Sequence, residues 1–398
     1  MNPRFRQLKP YPFERYREIL TGVEPVTDAA FIDLSIGEPK HPTPELIKTA
    51  LVASLDGLGA YPPTSGQIDL RSTIAQWLEA RFAPARVDPA TEVLPVLGSR
   101  EALFALTQTI IDPGQQPIVI SPNPFYQIYE GAAFLAGADI HYVAQTPGAA
   151  QTCDWASIDQ TTWARCALLF VCTPGNPTGS VIKLDEWKQL FELQDKYGFV
   201  IAADECYSEL YPETGQAPIG GLQAAALLGR HNQKLIVFGS LSKRSNAPGM
   251  RSGYVSGDPE IIAAFLKYRT YHGSAMSPPV QQASIAAWRD ESHVAQNRAL
   301  YDQKYQAVVP VLAPGLQVSR PEAGFYLWAT VPGGDDVRFS VELYRQYNVR
   351  VLPGSLLGRE IDGVNPGAGR IRIALVAPLE SCIEAAGRIA SFCGQYQP

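Results

Sequence analysis

The residue best placed for covalent chemistry is Lys243. It follows the apolar run LIVFGS, part of a buried strand expected over 234–239. A lysine at the carboxyl end of such a strand sits where α/β sheets place their ligands. Desolvation there lowers the amine pKa and frees it for Schiff-base chemistry with a carbonyl. The plain alternative is a solvated loop lysine, and the flanks argue against it. Ser240 and Ser242 precede the lysine and Arg251 follows it. Two hydroxyls and a guanidinium can hold a dianionic phosphate, the arginine through paired, charge-assisted bonds.

A second group sits in FVIAADECYSELY, residues 199–211. Asp204 ends an apolar strand, where a carboxylate is costly unless it meets a cation. A protonated pyridine nitrogen is such a cation. Unit charges near 4 Å attract by up to about 4 kcal/mol at an effective dielectric of 20, enough to keep the ring nitrogen protonated near neutrality. A protonated ring is the better electron sink for a carbanion at a substrate Cα. Tyr207, three residues on, can reach the same side and bond a phenolic oxygen of the ring. So can Asn176, set in the sharp turn CTPGNPTG. Each has a structural alternative: a helix-capping aspartate, a plain turn.

Further candidates are weaker alone. GSREALFAL, residues 98–106, opens a helix after a strand, so the backbone N–H groups of Ser99 and Arg100 suit a phosphate; the Arg100 side chain reads as solvated or paired. Tyr126 in PNPFYQIY follows a strand and can stack on a planar ring. Tyr61 lies in the proline-rich loop YPPTSG. Arg370 and Arg372 alternate along GRIRIALVAP and point the same way; an arginine in an apolar strand is a candidate carboxylate fork.

The elements that must position these residues alternate along the chain. Strands are expected at 92–97, 117–121, 139–143, 167–172, 199–203 and 234–239. Helices are expected at 13–20, 44–54, 68–82, 100–111, 126–136 and 185–197. Short, wholly apolar strands between helices indicate a mostly parallel sheet covered on both faces, an α/β layered domain. Beyond about residue 285 the texture changes. One long helix is expected over 282–306, strands at 324–331 and 369–375, and helices at 340–347 and 379–393: a smaller α+β unit. The expected division is 46–285 for the large domain, with 1–45 and 286–398 forming an N-terminal arm and the small domain.

The 398 residues suffice for a large core without staples. A net charge of −6 with no basic block argues against nucleic acid or an anionic membrane as the main partner. The six cysteines (153, 166, 172, 206, 382 and 393) form no CxxC pair and no zinc-spaced cluster, so no metal site is expected. No signal peptide or run of about 18 apolar residues is present. The expected location is the cytoplasm.

Taken together, the order and spacing of Asn176, Asp204, Tyr207, Ser240, Lys243 and Arg251 resemble class I aminotransferases of the fold-type I superfamily, over nearly the whole chain. The resemblance implies pyridoxal 5'-phosphate as cofactor, joined to Lys243 as a Schiff base. Lys243 would also shuttle the proton at the substrate Cα. It implies that Asp204 pairs the pyridine nitrogen, that Asn176 and Tyr207 bond the phenolic oxygen, and that Tyr126 stacks on the ring. Ser99, Arg100, Ser240, Ser242 and Arg251 would hold the phosphate. Arg372 would grip the substrate α-carboxylate beside the Gly37 backbone. Tyr61 would reach the phosphate of a neighbouring subunit, which implies a homodimer.

Several stretches narrow the resemblance: IDLSIGEPKHPTP, GSREALFA, PNPFYQIYEGAA, GSLSKRSNAPGMRSGY, YRTYHGSAMSPPVQ and NPGAGRIRIALVAP. Together they are similar to bacterial succinyldiaminopimelate aminotransferases of the lysine pathway. That implies transfer between N-succinyl-LL-diaminopimelate and 2-oxoglutarate. Both substrates carry extra carboxylates, so a second cation is needed; Arg17, Arg269 and His272 are the candidates. The rival readings are another aminotransferase or a C–S β-lyase on the same fold, since one cofactor chemistry serves them all. A non-catalytic regulator would be expected to carry a DNA-binding module, and this chain has no basic N-terminal extension.

Overall fold

The computed structural model describes residues 1–146 and 152–397; residues 147–151 and 398 lie outside it. Its centre is a seven-stranded sheet. The strands are β1 (Val93–Val96), β2 (Ile118–Asn123), β3 (Asp139–Ala144), β4 (Cys166–Cys172), β5 (Val200–Asp204), β6 (Leu235–Ser240) and β7 (Gly253–Gly257). They lie in the order β1-β7-β6-β5-β4-β2-β3. The pairings within β6-β5-β4-β2-β3 are parallel, while β7 runs antiparallel to both β6 and β1. The central strands are apolar throughout because both faces are covered. Leu168 and Phe170 of β4 enter one core cluster, and Leu169 and Val171 enter the other. The fold is therefore α/β, with a mixed, mostly parallel sheet sandwiched by helices.

One consequence organises everything that follows. The carboxyl ends of β1, β2, β4, β5 and β6 all reach the same edge of the sheet. Helix α1 (Ser99–Ile110) starts just past β1, and α2 (Ile128–Ala136) just past β2. Residues distant in sequence are gathered there.

A second, smaller layer is built on three antiparallel strands, β8 (Tyr326–Thr330), β9 (Leu352–Pro353) and β10 (Arg370–Ala374), in the order β9-β10-β8. Its core includes Leu327, Ile371, Ile373, Leu343 and Ile389. The N-terminal segment joins this layer: Ile32–Asp33 pairs in parallel with Val349–Arg350, and Ala374 N donates to Leu34 O at 2.8 Å.

The expected continuous helix over 282–306 is instead two, α3 (Pro278–Arg289) and α4 (Ser292–Leu312). Neither proline nor glycine breaks it. Asp290 Oδ1 accepts from His293 N at 3.0 Å and caps the new start, while the Glu291 carboxylate is drawn onto Trp77 Nε1 at 2.8 Å and onto Arg244. Strand β7 and the helix Pro259–His272 were not foreseen. No helix among the described residues is long and apolar enough to cross a membrane.

Candidate active site

Where the sheet edge meets the smaller layer lies a cleft of about 370 Å³. Gly37, Ser99, Arg100, Tyr126, Asn176, Asp204, Tyr207, Ser240, Ser242, Lys243, Arg251 and Arg372 all line it. These sequence-derived candidates are thus brought to one place; Tyr61, which is fully exposed, lies outside this cleft, as do Arg370 and the three candidates for the second cation.

Lys243 stands on the one-turn helix Leu241–Arg244, whose start is capped by Ser240 Oγ accepting from Ser242 N at 3.1 Å. Its Nζ donates to Gly37 O at 2.5 Å. Burial, helped by the nearby Arg372 and Arg100 charges, pushes the amine down to about 8. Asp204 closes β5 almost fully buried. Its Oδ2 accepts from Tyr129 Oη at 2.9 Å and its Oδ1 from Cys206 N at 3.3 Å. Burial raises its pKa, and among the described residues no basic side chain forms an ion pair with it. The acid is thus held in place by neutral donors and faces the cleft without a cation.

Arg372 on β10 is also almost fully buried. Its two terminal nitrogens donate to Asn176 Oδ1 at 2.9 Å and Ser35 O at 2.8 Å, its Nε has no partner, and it lies 4.3 Å over the Tyr326 ring. Because the Asn176 oxygen is engaged, its NH2 is the group left to donate into the cleft. Arg370, two residues along, faces a separate groove beside Thr178 and Trp328. Tyr207 Oη and Tyr326 Oη are 3.1 Å apart. A Cβ on Gly37 would stand 1.8 Å from Tyr326 Oη, so only glycine lets this backbone approach.

The opposite end of the cleft is built for an anion. Gly98 takes φ +83° and turns the chain into α1, where a Cβ would meet the Arg251 guanidinium at 2.5 Å. The first turn of α1 at Ser99 and Arg100, the hydroxyls of Ser240 and Ser242, and Arg251 surround that end. Tyr126 is held from behind. Phe125 N and Gln127 Nε2 donate to Leu357 O at 3.3 and 3.2 Å, and Arg359 clasps Glu130 through Nε and Nη2 at 2.7 and 2.6 Å.

Two expectations need correcting. Arg100 was credited with its backbone alone, yet its side chain lines the cleft. Its Nε donates to Tyr126 Oη at 2.6 Å, and it pairs with no acid among the described residues. The three candidates for the second cation lie elsewhere. Arg269 is buried against Glu101 and Pro95 O, His272 bonds Ser274, and Arg17 Nε bonds Phe13 O of its own helix. Tyr129, Tyr326 and Ser35 went unnoticed, because each acts only through contacts made across the fold.

The profile of the family described as aminotransferase class I and II matches residues 29–389. The chain belongs to that family. Class I aminotransferases depend on pyridoxal 5'-phosphate, and the cleft fits that cofactor. A buried carboxylate without an ion-pair partner, an anion cradle around Gly98 and Arg251, and a desolvated amine all open on this one cleft. The LL-diaminopimelate aminotransferase of Dehalococcoides mccartyi is 31% identical over 99% of both chains. Among solved structures, an aminotransferase from Neisseria meningitidis is 53% identical with a TM-score of 0.96, covering 98% of this chain and 100% of that one. A probable N-succinyldiaminopimelate aminotransferase from Thermus thermophilus is 28% identical with a TM-score of 0.81, covering 96% and 97%.

Proposed function

We propose that this aminotransferase moves the amino group between N-succinyl-LL-2,6-diaminopimelate and 2-oxoglutarate, with glutamate as donor in the biosynthetic direction of lysine and diaminopimelate synthesis. The observation that carries the substrate choice is Arg100. It is a guanidinium in the cleft besides Arg372 and the cradle's Arg251, unpaired with any acid among the described residues. Both proposed substrates bear an α-carboxylate and a distal carboxylate. Arg372 takes the first, with the Gly37 backbone beside it, and Arg100 takes the second. The names of the Thermus structure and of the Dehalococcoides relative support the diaminopimelate class.

Bound in the cleft, the cofactor supplies an aldehyde and an electron-withdrawing ring for the substrate amino group. Asp204 would hold the ring nitrogen protonated. Asn176 and Tyr207 would donate to its phenolic oxygen, Tyr126 would lie against the ring, and the backbone N–H groups of Ser99 and Arg100 with Ser240, Ser242 and Arg251 would hold the phosphate. Lys243 holds the cofactor at rest and, once released, carries a proton to and from the substrate Cα, a task suited to an amine near pH 8. Tyr61 belongs to the cleft of a second copy, so the working unit is a homodimer in the cytoplasm. Residues 46–285 form the large domain, and 1–45 with 286–398 the small one.

A specific observation favours a second reading. Glu38, which pairs with Lys40 in the structure, also lines the cleft, and its carboxylate can exchange that partner for the free distal ammonium of LL-diaminopimelate itself. A donor panel with 2-oxoglutarate separates the two. Succinylated diaminopimelate, free LL-diaminopimelate and acetylornithine are compared by kcat/KM for glutamate formation. The proposal expects the succinylated donor to lead; a lead for the free diamine would replace it. Ammonia release without glutamate would indicate a lyase.

A further inference from the structure

The mechanism above leaves one buried ionisable group unused. Lys304, in the middle of α4, is only 2% exposed and pairs with no acid among the described residues. Its Nζ lies 2.7 Å from His41 Nε2 and donates to Leu375 O at 3.1 Å. His41 Nδ1 in turn lies 2.9 Å from Asn297 Oδ1. Asn297 Nδ2 donates to the carbonyls of Lys243 at 3.2 Å and Arg244 at 3.4 Å.

These contacts fix the proton positions. The Asn297 amide nitrogen is spent on two carbonyls, so its oxygen is the acceptor, and it also accepts from Asn246 Nδ2 at 2.9 Å. His41 Nδ1 must therefore carry hydrogen. Its Nε2 then offers a lone pair to the Lys304 ammonium. Burial lowers the pKa of both His41 and Lys304, which suits a neutral imidazole. Asn297, Tyr301 and Lys304 share one face of α4, and the His41 ring packs at 4.7 Å from that of Tyr301.

What this cluster touches gives it meaning. His41 lies on the segment that carries Gly37. The same segment is pinned again by Thr43 Oγ1 donating to Asn246 O at 2.6 Å. Leu375 directly follows β10, the strand of Arg372. The backbone of Lys243 is the third terminus. None of His41, Asn297 and Lys304 lines the cleft.

We infer that His41, Asn297 and Lys304 form a positioning hub, which holds the Lys243 turn, the Gly37 segment and the exit of the Arg372 strand in one register. His41 is the positioning residue that closes it. The inference rests on the reading of Lys243 as the amine and Arg372 as the carboxylate fork. It adds that these two are set by a common polar joint behind the cleft.

The test is amide hydrogen exchange in the full-length, cofactor-loaded protein without substrate, read segment by segment. His41→Leu removes both the donor and the acceptor. It is expected to speed exchange about tenfold, the effect of one buried hydrogen bond, at 37–43, 243–247 and 374–377 together. Residues 357–360, held by the separate Arg359–Glu130 clasp, keep their rate. His41→Gln, which supplies one donor and one acceptor, restores protection. In the same variants KM for both substrates rises about tenfold with His41→Leu and recovers with His41→Gln. A rise confined to 37–43, or equal behaviour of the leucine and glutamine variants, overturns the hub. Lys304→Met gives an independent entry should His41→Leu not fold; unchanged exchange at 243–247 in that variant likewise overturns it. Exchange needs no turnover, so a failed donor panel would sink the reaction reading and leave this result standing.

Discussion

Arg100→Met tests the substrate assignment most directly. The change keeps an unbranched, flexible stem, two atoms shorter, and removes the charge. In the structure Nε is engaged by Tyr126 Oη at 2.6 Å, and the two terminal nitrogens have no protein partner among the described residues. A carboxylate meeting them at about 4 Å between charge centres would gain up to about 4 kcal/mol at an effective dielectric of 20. Arg100 is on the open side of the cleft, so solvent screening roughly halves this. About 2 kcal/mol corresponds to about thirtyfold in kcat/KM. That loss is expected for glutamate, 2-oxoglutarate and succinylated diaminopimelate, whose distal groups are anionic. Alanine and pyruvate, which lack a distal carboxylate, should change by less than about threefold. The assay is steady-state amino transfer with each donor at saturating cofactor. Equal losses for alanine and glutamate would refute the assignment and reduce Arg100 to a prop for Tyr126.

Other outcomes follow from the same geometry. Asp204→Asn should raise the melting temperature of the cofactor-free protein, since burial disfavours the charged carboxylate, and should cut turnover about 10²–10³-fold; a lower melting temperature would contradict the account. Glu205, buried and pushed up to about 8, keeps its proton in the folded protein and loses it on unfolding above the ordinary carboxylate range. Its contribution is therefore whole at acid pH and fades as pH rises towards 8, by up to about 4 kcal/mol between pH 5 and 8; Glu205→Gln should flatten that slope in denaturant titrations. Arg359→Met leaves Glu130 buried without its cation, held only by the Tyr142 hydroxyl, at a cost of about 3 kcal/mol. Adding Glu130→Gln should recover most of it in the same unfolding assay.

The strands that carry the site could be read because they are short, apolar and followed at once by polar residues. Asp204, Asn176 and Lys243 each terminate or follow such a run, so their common edge was implied by the alternation of elements. Contacts made only through the tertiary fold could not be read. Arg100 resembles any arginine in a first helical turn, and its entry into the cleft depends on Tyr126, which is itself fixed by Leu357 and Arg359 far along the chain. Tyr129 belongs to the site only because α2 leans over the end of β5. The break between α3 and α4 was invisible for the same reason: a carboxylate captured by Arg244 and Trp77 outweighs a local preference to continue the helix.

The gathering of strand ends at one sheet edge has a temporal side. Asn176, Asp204 and Lys243 follow three different strands, Arg251 shares the Lys243 connection, and Arg372 comes from another layer altogether. No short stretch of nascent chain offers more than one or two of the needed contacts, and a ligand held by native groups alone cannot stabilise the unfolded ensemble. The vitamin-derived group must therefore arrive after the strands have lined up. Its colour during refolding marks completion, not nucleation.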